Sequence, residues 1–163
     1  MLRFAFLLLV SSVVPAAAAP AFKHYQNERF GFSVDIPADY KIVVDPANGD
    51  GLALASPDGS ANLTVSAGHI FVTDEAQTFP QEVASSHEFW TKKGWKITYK
   101  KLGASWANYS GRKGDRILYA RVIAYCGDLE GTFELDYPAA QQKRYEPIIA
   151  RLNRTLKAPK QCP

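Results

Sequence analysis

Aromatic and charged side chains that could bind a ligand cluster on consecutive strands in the second half of the chain. If the turn after the second of these strands pairs Cys126 with Gly131, Arg121 lies opposite Asp136. A two-residue turn at Lys113-Gly114 then adds a third strand to the same face. This face carries an indole, a phenol, a guanidinium and two carboxylates, from Trp106, Tyr119, Arg121, Glu134 and Asp136.

Two interpretations of this face stay open. It is either a cross-strand ion pair with cation–π packing, which needs no ligand, or a polar-aromatic platform for a small ligand, a sugar or a peptide. Replacing Arg121 or Trp106 by alanine separates the two. Loss of stability alone indicates packing, whereas lost binding in a folded protein indicates a platform.

No residue pattern predicts catalysis, a metal or a cofactor. His69, Asp74 and His87 are the best metal-ligand set, but their spacing matches no known ligand pattern, and we expect surface histidines instead. No serine lies in a GxSxG or SxxK motif. Glu134 and Asp136 could stand about 7 Å apart, as in glycosidases, but such pairs are common on solvent-facing strands. We therefore predict no catalytic residues, no metal and no cofactor.

The two cysteines predict a disulfide. Cys126 and Cys162 form an even count in a chain that carries an export signal. The bond would contribute about 3–4 kcal/mol on the chain-entropy model and would hold the C-terminal tail. A redox or metal-binding pair is the alternative, but the sequence contains no CxxC motif.

The N-terminus predicts a signal peptide. Arg3 precedes an apolar run, and the four alanines Ala16–Ala19 follow it. We predict cleavage after Ala18, or else after Ala19. A membrane anchor is the alternative, but the apolar run is shorter than the roughly 20 residues that a spanning helix needs. Two of the three glycosylation sequons fall inside a predicted strand and a predicted helix, which indicates chance matches and not glycan sites. A bacterial periplasm is therefore favoured over a eukaryotic secretory route.

Composition describes one folded domain over residues 19–163. The hydrophobic fraction of 47% and charged fraction of 21% are typical of globular proteins. A formal net charge of +3, spread along the chain, does not indicate nucleic acid or an anionic membrane surface as a partner, and we expect neither. No further segment is long enough to span a bilayer, so the processed chain should be soluble.

Hydrophobic periodicity predicts an α+β fold with the element order ββββαββββα. The residues Phe22–Asn27 are expected to form a leader, and four strands follow. A capping box and a glycine stop predict a helix over Thr78–Lys93. Four further strands precede a helix whose apolar stripe runs from Tyr145 to Leu156, with Pro147 near its start.

The segment Phe30–Pro37, a glycine-rich hairpin, a central helix and the segment Tyr145–Ile149 after Tyr137-Pro138 resemble small exported proteins with a PsbP-like α/β/α sandwich. The resemblance implies a central antiparallel sheet with helices on both faces. Proteins of that fold are mostly non-enzymatic, and the matching residues are structural, so none is carried over as a binding residue. We expect a periplasmic or secreted accessory or binding protein whose partner is an envelope protein or a small ligand. A small envelope hydrolase is the alternative.

Overall fold

The computed structural model describes residues 20–70 and 78–163. The strands are β1 (Phe22–Gln26), β2 (Ser33–Pro37), β3 (Lys41–Val44), β4 (Gly51–Ala55), β5 (Asn62–His69), β6 (Lys96–Leu102), β7 (Trp106–Lys113), β8 (Arg116–Tyr125) and β9 (Leu129–Pro138). The α-helices are α1 (Phe79–Lys92) and α2 (Gln142–Thr155), the second preceded by a 3-10 turn, Ala139–Gln141. The predicted signal peptide lies outside the described residues.

Seven strands form one antiparallel sheet in the order β3-β4-β5-β9-β8-β7-β6, and β1 and β2 form a separate hairpin. The predicted α+β class is confirmed. The order differs from the prediction by one strand, because the expected leader is β1. Its side chains are mostly exposed and show no apolar alternation, so only pairing with β2 makes this segment a strand.

Two cores lie on opposite faces of the sheet. The strand β2 and helix α2 cover one face, where Phe32, Phe133 and Leu152 are fully buried. The helix α1 covers part of the other face, over Leu118, Ala120 and other residues of β7 and β8. We call these the α2 side and the α1 side. In the described part of the chain, neither helix is long and apolar enough to cross a membrane.

Both helices begin and end close to where local signals place them. The backbone N–H of Thr78 donates to Gln81 Oε1 at 2.7 Å, which satisfies a free donor of the first turn of α1. Gly94, with φ 86°, ends that helix. In α2 the predicted stripe is buried, and Tyr145 stacks on Tyr137 with ring centroids 4.6 Å apart.

The predicted disulfide is formed, with the Cα atoms of Cys126 and Cys162 5.6 Å apart. The bond holds the tail beyond α2 against the turn between β8 and β9. Within that tail, Lys157 pairs with Ser33 of β2 through two backbone hydrogen bonds. The C-terminal tail is therefore attached to the domain at two points, at Lys157 by backbone hydrogen bonds and at Cys162 by the disulfide.

The predicted register between β8 and β9 is wrong. Tyr125 pairs with Leu129 around a three-residue turn, so Arg121 lies opposite Phe133, and Asp136 lies opposite Leu118. Cys126 adopts a positive φ of 53° in this turn, which the sequence did not indicate. The slip is an odd number of residues, so it reverses which side chains share a face.

The predicted turn between β7 and β8 is displaced as well. It is formed by Gly114 and Asp115, since Lys113 pairs with Arg116. Moving the turn by one residue shifts the pairing of the two strands by two positions. An even shift leaves each side chain on its predicted face of the sheet. Trp106 and Arg121 therefore remain on one face, although Trp106 pairs directly with Ile123.

Candidate functional site

The polar-aromatic residues on the α2 side form the candidate site. Helix α2 contacts β8 and β9, and the side chains of β6 and β7 beside it on this side are half-buried or exposed. We define the open face as the side chains of Tyr99, Lys101, Trp106, Asn108, Tyr119 and Arg121, which the pairing of β6, β7 and β8 places on this side. Three of the five predicted site residues belong to it, namely Trp106, Tyr119 and Arg121.

Trp106 lies between two cations. The Arg121 Cζ atom is 5.3 Å from its ring centroid, and Lys101 Nζ is 5.8 Å away. The indole packs over Gly103, where an added Cβ would overlap Trp106 Nε1. The ring can occupy this position because Gly103 has no side chain. The predicted cation–π contact between Arg121 and Trp106 is present.

Tyr119 links the open face to α2. Its hydroxyl accepts a hydrogen bond from Asn153 Nδ2 at 2.9 Å, and its ring stacks on Phe133. Beside it, a groove of about 430 Å³ runs between α2 and the strands, lined among others by Tyr99, Arg112 and Glu146. The open face is thus continuous with a groove large enough for several atoms of a ligand or for a peptide segment.

Arg121 has an unusual electrostatic environment. Its Nη1 atom donates to Asn108 Oδ1 at 3.0 Å, whereas its Nε atom is buried without a hydrogen-bond partner in the described part of the chain. Partial burial lowers the pKa of the guanidinium, and the nearby Tyr119 opposes this effect. Arginine pKa values lie so high that the group remains charged at neutral pH.

The two predicted carboxylates, Glu134 and Asp136, lie on the α1 side of the sheet. The five predicted site residues are therefore not on one face. Asp136 pairs with Arg116 Nε at 2.7 Å. Glu134 accepts hydrogen bonds from Trp90 Nε1 at 2.8 Å and from the Tyr109 hydroxyl at 3.3 Å. The cause is the register of β8 and β9: neither Asp136 nor Glu134 faces Arg121.

Beneath α1, a second polar cluster was not predicted from the sequence. Burial raises the pKa of Glu134, and burial with the charges of Glu82 and Glu134 raises the pKa of Glu130 to about 7. Glu130 Oε2 and His87 Nε2 are buried without a hydrogen-bond partner within residues 20–70 and 78–163. The strict alternation of apolar and polar residues along β9 made these glutamates look solvent-facing, so no sequence signal identified the cluster.

The histidines are placed apart. His24 pairs with Asp35 and His69 with Asp128, while the His87 ring packs edge-on against Tyr109. Across the described ranges, no group of three His, Cys, Asp or Glu side chains is arranged to hold a metal ion. Asp74, the third member of the conceivable metal set, lies outside the described residues.

Comparison with known proteins shows a fold likeness. No family model and no curated protein matches the chain. The solution structure of cyanobacterial PsbP (CyanoP) from Synechocystis sp. PCC 6803 is similar with a TM-score of 0.65 and 11% identity, over 90% of this chain and 98% of that one. A crystal structure from Bacteroides thetaiotaomicron VPI-5482 has a TM-score of 0.42 and 16% identity, over 80% of this chain and 46% of that one. The chain therefore has a PsbP-like fold.

Proposed function

We propose that this protein is a non-catalytic accessory protein of the bacterial envelope that binds a partner protein through the open face. The observation that carries the proposal is Trp106 held between Lys101 and Arg121 on a face that α2 leaves accessible. Tryptophan and arginine are the residues that most often dominate the energy of a protein interface. The PsbP-like fold supports the accessory role by analogy.

An envelope location is consistent with the disulfide. Structural disulfides persist in oxidising compartments such as the periplasm and are rare in the cytosol. The bond between Cys126 and Cys162 fits that chemistry. Together with the apolar N-terminus, it supports export to the periplasm and action there after cleavage of the signal peptide.

Site-specific photo-crosslinking tests the contact surface. A photoreactive residue replaces Tyr99, which is 48% exposed on the open face, in the full chain produced in its native host. The matched control places the same residue at Phe89, which is 53% exposed on α1 at the other side of the sheet. We expect one envelope protein, identified by mass spectrometry, to crosslink at position 99 and not at position 89.

Binding in solution completes this test. The identified protein should bind the purified mature chain saturably, and Trp106→Ala should weaken that binding while leaving the far-ultraviolet circular dichroism spectrum unchanged. Equal crosslinking from both positions, or binding that Trp106→Ala leaves unaffected, contradicts the proposal.

A small hydrolase is the second candidate, favoured by one observation. The pKa of Glu130, raised to about 7, lies in the range that suits a general acid. Against it, Glu130 lies beneath α1, and the groove beside the open face is not lined by Glu130 or Glu134. A hydrolase would lose activity on envelope-derived glycans or esters in a Glu130→Gln variant, whereas an accessory protein would show no turnover in either form.

A further inference from the structure

Arg121 differs from the other arginines that the fold partly encloses. Two of those, Arg116 and Arg151, form ion pairs with a carboxylate at 2.6–2.7 Å, and so do the exposed Arg29 and Arg144. Arg121 makes its hydrogen bond to a neutral amide, and its Nε atom has no partner among the described residues. It has given up part of its hydration without gaining an opposite charge, which is costly for a cation.

The surroundings of Arg121 hold its guanidinium in one place. Trp106 packs against it, Asn108 accepts from Nη1, and Tyr119 lies two positions along the same strand face. Because these contacts orient the planar group in advance, a ligand that binds it spends little free energy on ordering the side chain. The result is a preoriented cation whose Nε atom is buried and which has no carboxylate partner among the described residues, so a ligand would approach it from the Nη side.

We propose that Arg121 is the anchor for the carboxylate of an aspartate or glutamate side chain in an acidic segment of the partner protein. The occupant's identity as a protein rests on the proposed function; the carboxylate specificity goes beyond it. Trp106 offers an apolar surface beside the anchor, and Lys101 adds a second positive charge 5.8 Å from the centroid of the Trp106 ring. A planar carboxylate matches the donors of a guanidinium and would supply the missing counter-charge.

Charge on the open face favours a lightly charged segment over a polyanion. The groove wall contains one cation, Arg112, and one carboxylate, Glu146, and Lys101 and Arg121 lie beside it on the open face. A nucleic acid or an anionic membrane would require a broader basic surface without such a carboxylate. An acidic peptide that places one carboxylate at Arg121 fits this arrangement.

A titration of the purified mature protein with peptides tests the anchor. The probe is a capped hexapeptide with two glutamates and one leucine among glycines and serines, and the matched control peptide has glutamine at both glutamate positions. Nuclear magnetic resonance follows the Arg121 Nε–H and the Trp106 indole N–H signals. We expect saturable shifts of both signals with the glutamate peptide, and at least about tenfold weaker binding of the glutamine peptide.

Variants separate a carboxylate anchor from general attraction. Arg121→Gln should weaken binding of the glutamate peptide at least about tenfold, and Arg121→Lys should restore only part of it, since lysine keeps the charge but loses the planar donor set. Arg154→Gln removes the same charge from an exposed position on α2 and should leave the affinity within about twofold. Because the Nε–H shift is measured in the unmodified protein, the proposal is tested even if Arg121→Gln does not fold.

The outcomes distinguish the anchor from the proposed function. An unshifted Arg121 Nε–H signal in the unmodified protein, or equal binding of both peptides, overturns the anchor. If the crosslinked partner still binds through Trp106 in that case, the accessory function stands without the carboxylate anchor. Saturable glutamate-specific binding with no crosslink at position 99 supports the anchor and contradicts the proposed function.

Discussion

Replacing Glu130 by glutamine should stabilise the protein at alkaline pH and leave its stability in acid nearly unchanged. Burial, together with the charges of Glu82 and Glu134, raises the pKa of Glu130 from 4.5 to about 7. At about 1.4 kcal/mol per pKa unit, ionising Glu130 is about 3 kcal/mol less favourable in the folded than in the unfolded chain. Glutamine keeps the shape of the side chain and removes that cost.

The sign follows from proton linkage. Below pH 4.5 the carboxyl group is neutral in both states, and the native protein bears no penalty. Between pH 4.5 and about 7 the unfolded chain releases its proton first, so the free energy of unfolding falls as pH rises. Above pH 7 the full penalty is present. The difference in stability between Glu130→Gln and the unmodified protein should therefore grow by up to about 3 kcal/mol from pH 4 to pH 8.

Urea unfolding at pH 4, 6 and 8 measures this difference, with circular dichroism as the signal. The control is Glu88→Gln on the exposed surface of α1, where an ion pair with Lys92 lowers the pKa of the carboxyl group. That variant should show no gain in stability at pH 8. If the difference between Glu130→Gln and the unmodified protein is the same at pH 4 and pH 8, Glu130 does not titrate as the structure indicates and the reasoning fails.

Three further predictions concern the tail, the indole and the N-terminus. The double variant Cys126→Ser, Cys162→Ser should lower the free energy of unfolding by about 3–4 kcal/mol in chemical denaturation, and two free thiols in the native protein under non-reducing conditions would contradict export. Gly103→Ala should displace the Trp106 ring, because the added Cβ would overlap the indole at Nε1; an unchanged indole N–H resonance would show that the ring keeps its place and would contradict this prediction. Mass spectrometry of the protein from the cell envelope should show a chain cleaved after Ala18, and an intact N-terminus would refute the signal peptide.

Local signals were sufficient for the helices and for the disulfide. The capping box at Thr78 lies at the first turn of α1, and the glycine stop at Gly94 lies directly after its last turn. Residues close in sequence therefore determine where this helix begins and ends. The stripe that starts at Tyr145 specifies the buried face of α2 for the same reason. Pairing of Cys126 with Cys162 needed no geometry either, because no other cysteine is available in the sequence.

The register of β8 and β9 could not be predicted in this way. The predicted register requires one apolar and one solvated face, but Leu118 and Val122 pack beneath α1 while Ile117 and Phe133 pack on the α2 side. When both faces of a strand pair are buried, alternation no longer selects a register. The turn with Cys126 in a left-handed conformation then sets the pairing.

The sequence by itself determined the α+β class, both helices and the presence of Trp106, Tyr119 and Arg121 on one face. These features depend on periodicities of two and 3.6 residues and on a shift of two along a ladder, which preserves the faces. Only the tertiary structure decided that Glu134 and Asp136 lie on the opposite face, beneath or beside α1. That outcome depends on an odd shift in register and on a helix packed over the sheet, which are contacts between segments distant in the chain. The same contacts leave Arg121 without a carboxylate partner on the described open face.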